Sequence, residues 1–563
     1  MAKVRIELSD WMKNAGIVGF VKIINHRLNG SSQIDLKSNY IEFDTEILEN
    51  FEEVYFEYLI YKYKEFISIE KIVSKYDYIN LLLSKEVNEK DLAILNSHIK
   101  YTKERLKSAS YKSAYEIIND SSYNLLEKEK QLKEIKIKKK QSISDVSEDI
   151  KLQCNLLKEI IEYLNEENVR KIIAAKNVIY DVIQGFWSDV SFLNKNNNKK
   201  NMYECYINDF INPVINYESS NLEKAKYTCF TCDNKIQKLS KPFAYDITWI
   251  TKMGVDGSRK SSHYWNFQSD SNICPICNLI YSCIPAGFSV LNGKGLFINN
   301  NKSISKIISA NNLILYSGKK IDELEQESYF NIIDSMEDKS VNEVNSEIEN
   351  IQIVKFDKSN NSRPYTFNVL SKNKLEIISK NKKQLSALIG KSVKIAKDYY
   401  INIYSEVILR IYNGKNLFDL IALLTRLRIS GEYKNSKIIY ILISLNNNLM
   451  EGKYKVWYKD IDKFRDYGIK LRQIYGRNDE NKIPGIAYRL QNALKVKNES
   501  RFMDTLLNAY TSRKQPIPID FIEALKDVNK FQTIGYAFLI GLQGGLENRN
   551  QENNGNNIEE DNK

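Results

Sequence analysis

The sequence predicts an α+β chain: a mixed N-terminal region, an inserted segment organised by four cysteines, and a C-terminal helical bundle. Three observations predict it. Period-two stretches such as "KVRIEL" and "FSVLNGKGLFIN" read as strands. Two Cys-x-x-Cys pairs, "CFTC" and "CPIC", stand in one region with little other chemical punctuation. From about Leu385 onward apolar residues recur every three or four positions.

At 563 residues the chain is too long for one core. Composition shifts divide it into a mixed, largely helical region (1–190), a cysteine-bearing region with strands (191–300), a connecting α/β region (301–384), the helical bundle (385–545) and an acidic tail (546–563) expected to be disordered.

In order along the chain, "KVRIEL" is the first strand, and "WMKNAGIVGFVKIINH" follows with Gly16 and Gly19 bracketing a turn. From Asp44 the spacing of Ile47, Phe51, Val54, Tyr55 and Tyr58 is helical, with Asp44 or Thr45 as N-cap, and helical patterning continues to about Asn168. "SFLNKNNNKKNMYE" (191–204) lacks periodicity and reads as a linker or surface loop. "KPFAYDITW" alternates like a strand, and "FSVLNGKGLFIN" is a hairpin around Asn292-Gly293. "DSMEDKSVNEVNSEIEN" (334–350) reads as a second loop. The last helix ends at "QGG", as glycine past a C-cap should.

Bulk chemistry narrows the function classes. Net charge is +11, while segment 547–563 carries five acids against two bases, so the body is more basic still. That balance suits a polyanionic partner, although lysine is abundant throughout and its excess also fits compositional drift. The start "MAKVRIELSD" has no apolar signal core, and runs such as "KIIYILISL" are far short of a membrane span. The chain is therefore expected in the cytoplasm, away from membranes, where paired cysteines bind metal more often than each other. With His26, His98 and His263 as its three histidines, and no phosphate loop, HExxH or GxSxG motif, it reads as a binder before an enzyme.

Each Cys-x-x-Cys offers two thiolates from one tight turn, and two such turns suit tetrahedral zinc. Cys229, Cys232, Cys274 and Cys277 are the expected ligands of a structural Zn2+ in a zinc ribbon, against the plainer reading of four small buried hydrophobes. The 41 intervening residues (233–273) exceed a compact finger and must hold structure of their own. Four thiolates leave no open position for water or substrate, so the metal shapes rather than reacts. Cys154 and Cys205 read as core, and Cys283 and His263 as spare ligands. Between the pairs, "TKMGVDGSRKSSHYW" places Lys252, Arg259 and Lys260 on a cationic loop suited to phosphate or a groove, or on a plain surface hairpin.

From Lys453 to Lys514 there are 15 Lys/Arg against 7 Asp/Glu, interleaved with Tyr454, Trp457, Tyr458, Phe464, Tyr467, Tyr475 and Tyr488. Lys455, Lys459, Arg472 and Arg477 are candidate backbone contacts, with aromatics to stack on unpaired bases. The plainer reading makes the aromatics bundle core and the lysines its wet face.

"DWMKNAGIVGF", the paired "CFTC" and "CPIC", "PAGFSVLNGKGLFIN", "ENKIPGIAYRLQNAL" and "RFMDTLLNAY" together resemble the CXXC–CXXC branch of type I-B CRISPR large subunits. The resemblance spreads over nearly the whole chain. It implies a non-catalytic subunit of an RNA-guided surveillance complex (Cascade), lying by the 5′ handle of the guide RNA (crRNA). Such a subunit reads a short motif (the PAM) in target DNA and recruits a helicase-nuclease, beside backbone and handle-binding subunits. It also implies an N-terminal domain with the zinc ribbon, a helical bundle, and, in some relatives, a small subunit from an internal start. Met450 is the candidate start here, giving 450–563. The motif carries over the four cysteines but names no DNA contact. Asn14 and Lys22 near the glycine turn, with Lys252, Arg259 and Lys260, are the candidates, since asparagine can pair with an adenine edge and lysine or arginine with guanine. For Asn14 a turn-forming role before Gly16 competes. A metal-dependent nuclease and a zinc-ribbon protein-binding scaffold are the competing functions.

Overall fold

The computed structural model describes residues 3–544 apart from 28–32, 119–122, 138–140, 247–248, 250–271, 301–302, 316–317, 338–350, 361–364, 398, 451–455 and 525–527. They form two compact units, Met1–Leu370 and Ser371–Lys563.

In the first unit β1 (Lys3–Glu7), β2 (Asp35–Leu36) and β3 (Tyr40–Asp44) make an antiparallel sheet in the order β1-β3-β2. Val4 and Ile6 face the core while Lys3, Arg5 and Glu7 face solvent, which is the period-two pattern the sequence carries.

Segment 11–27, expected to turn at its glycines, is one continuous helix, α1 (Trp11–Arg27). Its glycines serve close packing. A Cβ on Gly16 would stand 2.3 Å from the carbonyl oxygen of Ile280, and one on Gly19 2.0 Å from that of Cys283. Gly287 reciprocates at 2.0 Å from the carbonyl oxygen of Ala15. Each helical glycine costs about 1 kcal/mol against alanine, and here backbone-to-backbone packing offsets it. Buried on nearly every side, α1 is the axis of this unit.

The helical run from Asp44 is broken into shorter pieces. Asp44 precedes a 3-10 turn, Thr45–Leu48, without a side-chain cap bond, and α2 (Phe51–Tyr63) starts instead from Asn50 at φ +55°. Asn88 and Asp91 close a capping box at the start of α3 (Glu89–Leu106), and α4 (Ser147–Leu164) and α5 (Glu167–Asp181) follow. Of the two readings of 191–204, linker or surface loop, the loop holds: it carries 3-10 turns, Ser191–Leu193 and Lys195–Asn197, with Lys195 and Lys199 exposed. Phe192 pins it, packing on Phe56 and Trp187 inside the core. No break between domains lies at 190/191.

β4 (Tyr227–Thr228) and β5 (Lys235–Ile236) flank the first cysteine turn, and α6 (Pro275–Ser282) and α7 (Ile284–Gly287) follow the second. Among its described residues, "KPFAYDITW" forms a single bridge, Tyr245 to Ile273, rather than a strand. The hairpin falls as expected: β6 (Ser289–Leu291) and β7 (Lys294–Asn300) are joined through Asn292 and Gly293, both at positive φ, 49° and 78°. β7 pairs with β8 (Ile351–Asp357), which pairs with β9 (Tyr365–Leu370), giving the antiparallel order β6-β7-β8-β9. The boundary drawn at 300/301 therefore cuts through a sheet. Residues 334–337 continue the helix Ile321–Glu337, and the rest of that polar segment lies outside the described residues.

The second unit starts at 371, not 385. Two short helices and the hairpin β10 (Ser392–Ala396) with β11 (Tyr399–Asn402) precede the bundle. Its helices are α8 (Ile403–Tyr412), α9 (Phe418–Ile429), α10 (Ser436–Leu449), α11 (Tyr458–Tyr475), α12 (Ile483–Lys495), α13 (Glu499–Thr511) and α14 (Val528–Leu542). α14 is the core helix, buried at Tyr536, Ala537, Phe538, Leu539 and Ile540, and the chain leaves it through Gly544 at φ +73°. The acidic tail lies outside the described residues. Among those described, no helix is long and apolar enough to cross a membrane.

Candidate metal centre

The first cysteine turn is built by a short hairpin. β4 pairs with β5, and the backbone N–H of Cys229 donates to Asn234 at 2.8 Å while that of Asp233 returns to Cys229 at 3.0 Å. Asp233 takes φ +57°, which tightens the turn so that Cys229 and Cys232 face the same way. The second turn is a helix start. Cys274 N-caps α6, Pro275 sets the first helical φ, and the Cys277 N–H donates to Cys274 Sγ at 3.5 Å.

Backbone bonds tie the turns together. Phe230 N–H donates to the Asn272 oxygen at 3.0 Å, and Cys274 N–H donates to Cys229 Sγ at 3.3 Å. The four sulfurs lie within 4.8 Å of one another, with Cys232 and Cys274 3.7 Å apart. A tetrahedral ion bound at about 2.3 Å would set its sulfurs about 3.8 Å apart, so the cluster fits one metal ion held by Cys229, Cys232, Cys274 and Cys277. Cys229, Cys274 and Cys277 are buried and Cys232 is half-buried. Hydrogen bonding from Cys232, Cys274 and Cys277 holds the Cys229 thiol far below its ordinary range, and contact with it pushes Cys274 and Cys277 up.

A residue the sequence reading passed over lies beside the sulfurs. Lys13 of α1 is 1% exposed, and its Nζ donates at 3.1 Å to the backbone oxygen of Thr231, inside the first cysteine turn. Burial works to lower its pKa, but electrostatic attraction to Cys277, Cys232 and Cys229, then to Asp10, outweighs that and holds the ammonium above its ordinary value. Asp10 accepts the backbone N–H groups of Met12 at 2.8 Å and Lys13 at 3.2 Å, and burial raises its carboxyl. Once 11–27 is seen as a helix, the signal is plain: a lysine among Ala15, Gly16, Ile17 and Phe20 has no wet side to occupy.

The candidate nucleic-acid contacts fare unevenly. Asn14 is fully buried, with Nδ2 donating to the Ser9 oxygen at 3.1 Å and to Asn299 Oδ1 at 2.9 Å, while Oδ1 accepts the Ser9 N–H. It is a structural amide, out of reach of a base edge. Lys22 is likewise turned inward: Nζ donates to the Asn311 oxygen at 2.7 Å, and burial pushes its pKa down to about 8. Lys252, Arg259, Lys260, His263 and Lys455 lie outside the described residues. Cys283 bonds to the Leu279 oxygen at 3.5 Å, apart from the cluster, and Cys154 and Cys205 are buried elsewhere.

In the second unit Lys459 is exposed in the first turn of α11, next to Tyr458 and to Trp457, which is 82% exposed. Arg472 is ion-paired with Glu480, which weakens it as a free contact. Arg477 opens the 3-10 turn Arg477–Lys482, and its side chain lies outside the described residues. Of the interleaved aromatics, Phe464 and Tyr475 are core, whereas Tyr488 is exposed.

Residues 223–289, which contain both cysteine turns, match the family model described as CRISPR-associated protein (Cas_CXXC_CXXC). The match supports a CRISPR-associated protein with a CXXC–CXXC motif and a role in CRISPR defence. No curated protein and no solved structure matches the chain.

Proposed function

We propose that this chain is the non-catalytic large subunit of a type I-B RNA-guided DNA surveillance complex, and that its metal is structural Zn2+. The observation that carries the reading is that the family match covers the segment holding all four ligands, whose sulfurs converge as a tetrahedral site requires. Four thiolates suit zinc and leave no open coordination position, so the ion's task is to hold the two turns together.

In this reading the subunit lies by the 5′ handle of the guide RNA, reads the PAM in target DNA and recruits a helicase-nuclease, alongside the backbone and handle-binding subunits. Sequence reading is left to base pairing, and the protein reads a short motif and shape, a division of labour described for a single-chain effector of another class. With Asn14 and Lys22 turned inward, the contacts proposed are Lys252, Arg259 and Lys260 between the cysteine turns, and Lys459 with Trp457 and Tyr458 in the bundle. A small subunit starting at Met450 would begin where α10 ends, leaving α14 without α10, one of the helices it packs against.

The test is a tagged pull-down from the native host, with bound proteins identified by mass spectrometry and bound RNA by sequencing. Repeat-derived guide RNA with backbone subunits is the expected result. A chain carrying unrelated partners and no guide would overturn it. Magnesium-dependent DNA cleavage by the purified chain would favour the nuclease instead, and DNA affinity indifferent to salt would favour the scaffold.

A further inference from the structure

We infer that Lys13 is the built-in counter-ion of the metal centre, so that metal occupancy and the burial of this lysine stabilise the N-terminal unit together; the inference rests on the zinc reading above. A divalent ion with four thiolates carries a net charge of −2, and three of its four cysteines are buried. Buried charge is tolerated only when it is paired. Among the described residues, Lys13 is a cation that the fold brings to the cluster, anchored by Thr231 between the two cysteines of the first turn. Asp10, the neighbouring carboxylate, is occupied by the Met12 and Lys13 N–H groups at the start of α1, where the helix dipole also favours its charge. The lysine's charge therefore faces the cysteine cluster first, with Asp10 as the lesser partner.

The same arrangement makes the metal-free unit unstable. Without the ion the fixed negative charge of the metal–thiolate cluster is gone, while the buried ammonium keeps only its bond to Thr231 and the attraction of Asp10. Lys13 therefore couples α1 to the ion electrostatically, beyond the hydrogen bond it makes.

The full-length chain tests this through zinc content and through zinc affinity by chelator competition, with Lys13→Met, Lys13→Gln, Lys13→Arg and, as a control on another buried lysine of α1, Lys22→Met. Lys13→Met is expected to weaken zinc about 10- to 100-fold, the range for groups just outside the ligand shell, and to shrink the fall in Tm caused by chelation. Lys13→Gln keeps a donor for Thr231 without the charge and should behave as Lys13→Met, which also carries the test if the methionine variant does not fold. Lys13→Arg should stay closer to wild type than either neutral variant, and Lys22→Met should leave zinc affinity unchanged. Wild-type affinity in Lys13→Gln would reduce Lys13 to a hydrogen-bond donor and overturn the inference alone. A wild-type chain without stoichiometric zinc would overturn the zinc reading and this inference together.

Discussion

The side-chain amide of Asn14 donates to Oδ1 of Asn299 at 2.9 Å, joining α1 to β7 across 285 positions of sequence. That bond turns a residue with the chemistry of a base reader into part of the core. Asn14→Ala would strand the Ser9 backbone groups and the Asn299 amide, so we expect it to destabilise the chain by about 2–3 kcal/mol in urea unfolding. Under the proposed function, DNA affinity corrected for the folded fraction should not change. A loss of affinity at unchanged stability would put Asn14 on the surface.

Gly19→Ala and Gly485→Ala should move stability in opposite directions. At Gly19 the new Cβ meets the Cys283 carbonyl at 2.0 Å, and the backbone must separate, so a loss of about 1–3 kcal/mol is expected despite alanine's better helix propensity. Nothing lies within 4 Å of a Cβ at Gly485 in α12, and the gain there should be about 0.5 kcal/mol. Denaturant midpoints of the two variants decide it; a stable Gly19→Ala would mean that α1 does not seat on α6 and α7.

His98 is buried in α3, and burial, with the Lys75 charge adding to it, pushes its imidazole down to about 4. Between pH 4 and its ordinary value of about 6.5 the unfolded chain binds a proton that the folded chain does not, so stability is present above that window and lost as pH falls through it. Unfolding measured from pH 7 to 4 should show wild type losing about 3 kcal/mol more than His98→Leu. Parallel curves would remove His98 as a titrating group.

Trp457→Ala removes a side chain that is 82% exposed, so stability should move by no more than about 0.5 kcal/mol. Under the proposed function its loss should weaken single-stranded nucleic-acid binding by about 1–3 kcal/mol, and Lys459→Ala should lower the salt dependence of binding. Filter binding across a salt series measures both. Unchanged binding in the double variant would relegate this end of α11 to a plain surface.

Features that depend on a few neighbouring residues were legible in the sequence. Asn292-Gly293 announces its turn because so few residues accept positive φ in succession. "KVRIE" announces its strand by alternation, and the cysteine pairs announce a cluster by spacing. What depends on distant partners was not. Gly16 and Gly19 look like a turn until α6 and α7 supply the carbonyls that need the space. The gap at 300/301 looks like a boundary until β8 returns to pair with β7. Lys13 looks like one surface lysine among many, and Thr231, which fixes its role, lies 218 positions away.

The seat of α1 also has a meaning in time. The helix is made first, but the carbonyls of Ile280 and Cys283 that receive its glycines are translated roughly 260 residues later. At about 5–20 residues per second, α1 waits roughly 15–50 s for these partners, with its glycine-bearing face uncovered. The cysteines of the second turn emerge at the end of the same interval, Cys274 as the N-cap of α6 and Cys277 in its first turn. The glycine face of α1 is thus completed late in synthesis, and only then can the second cysteine turn meet the first.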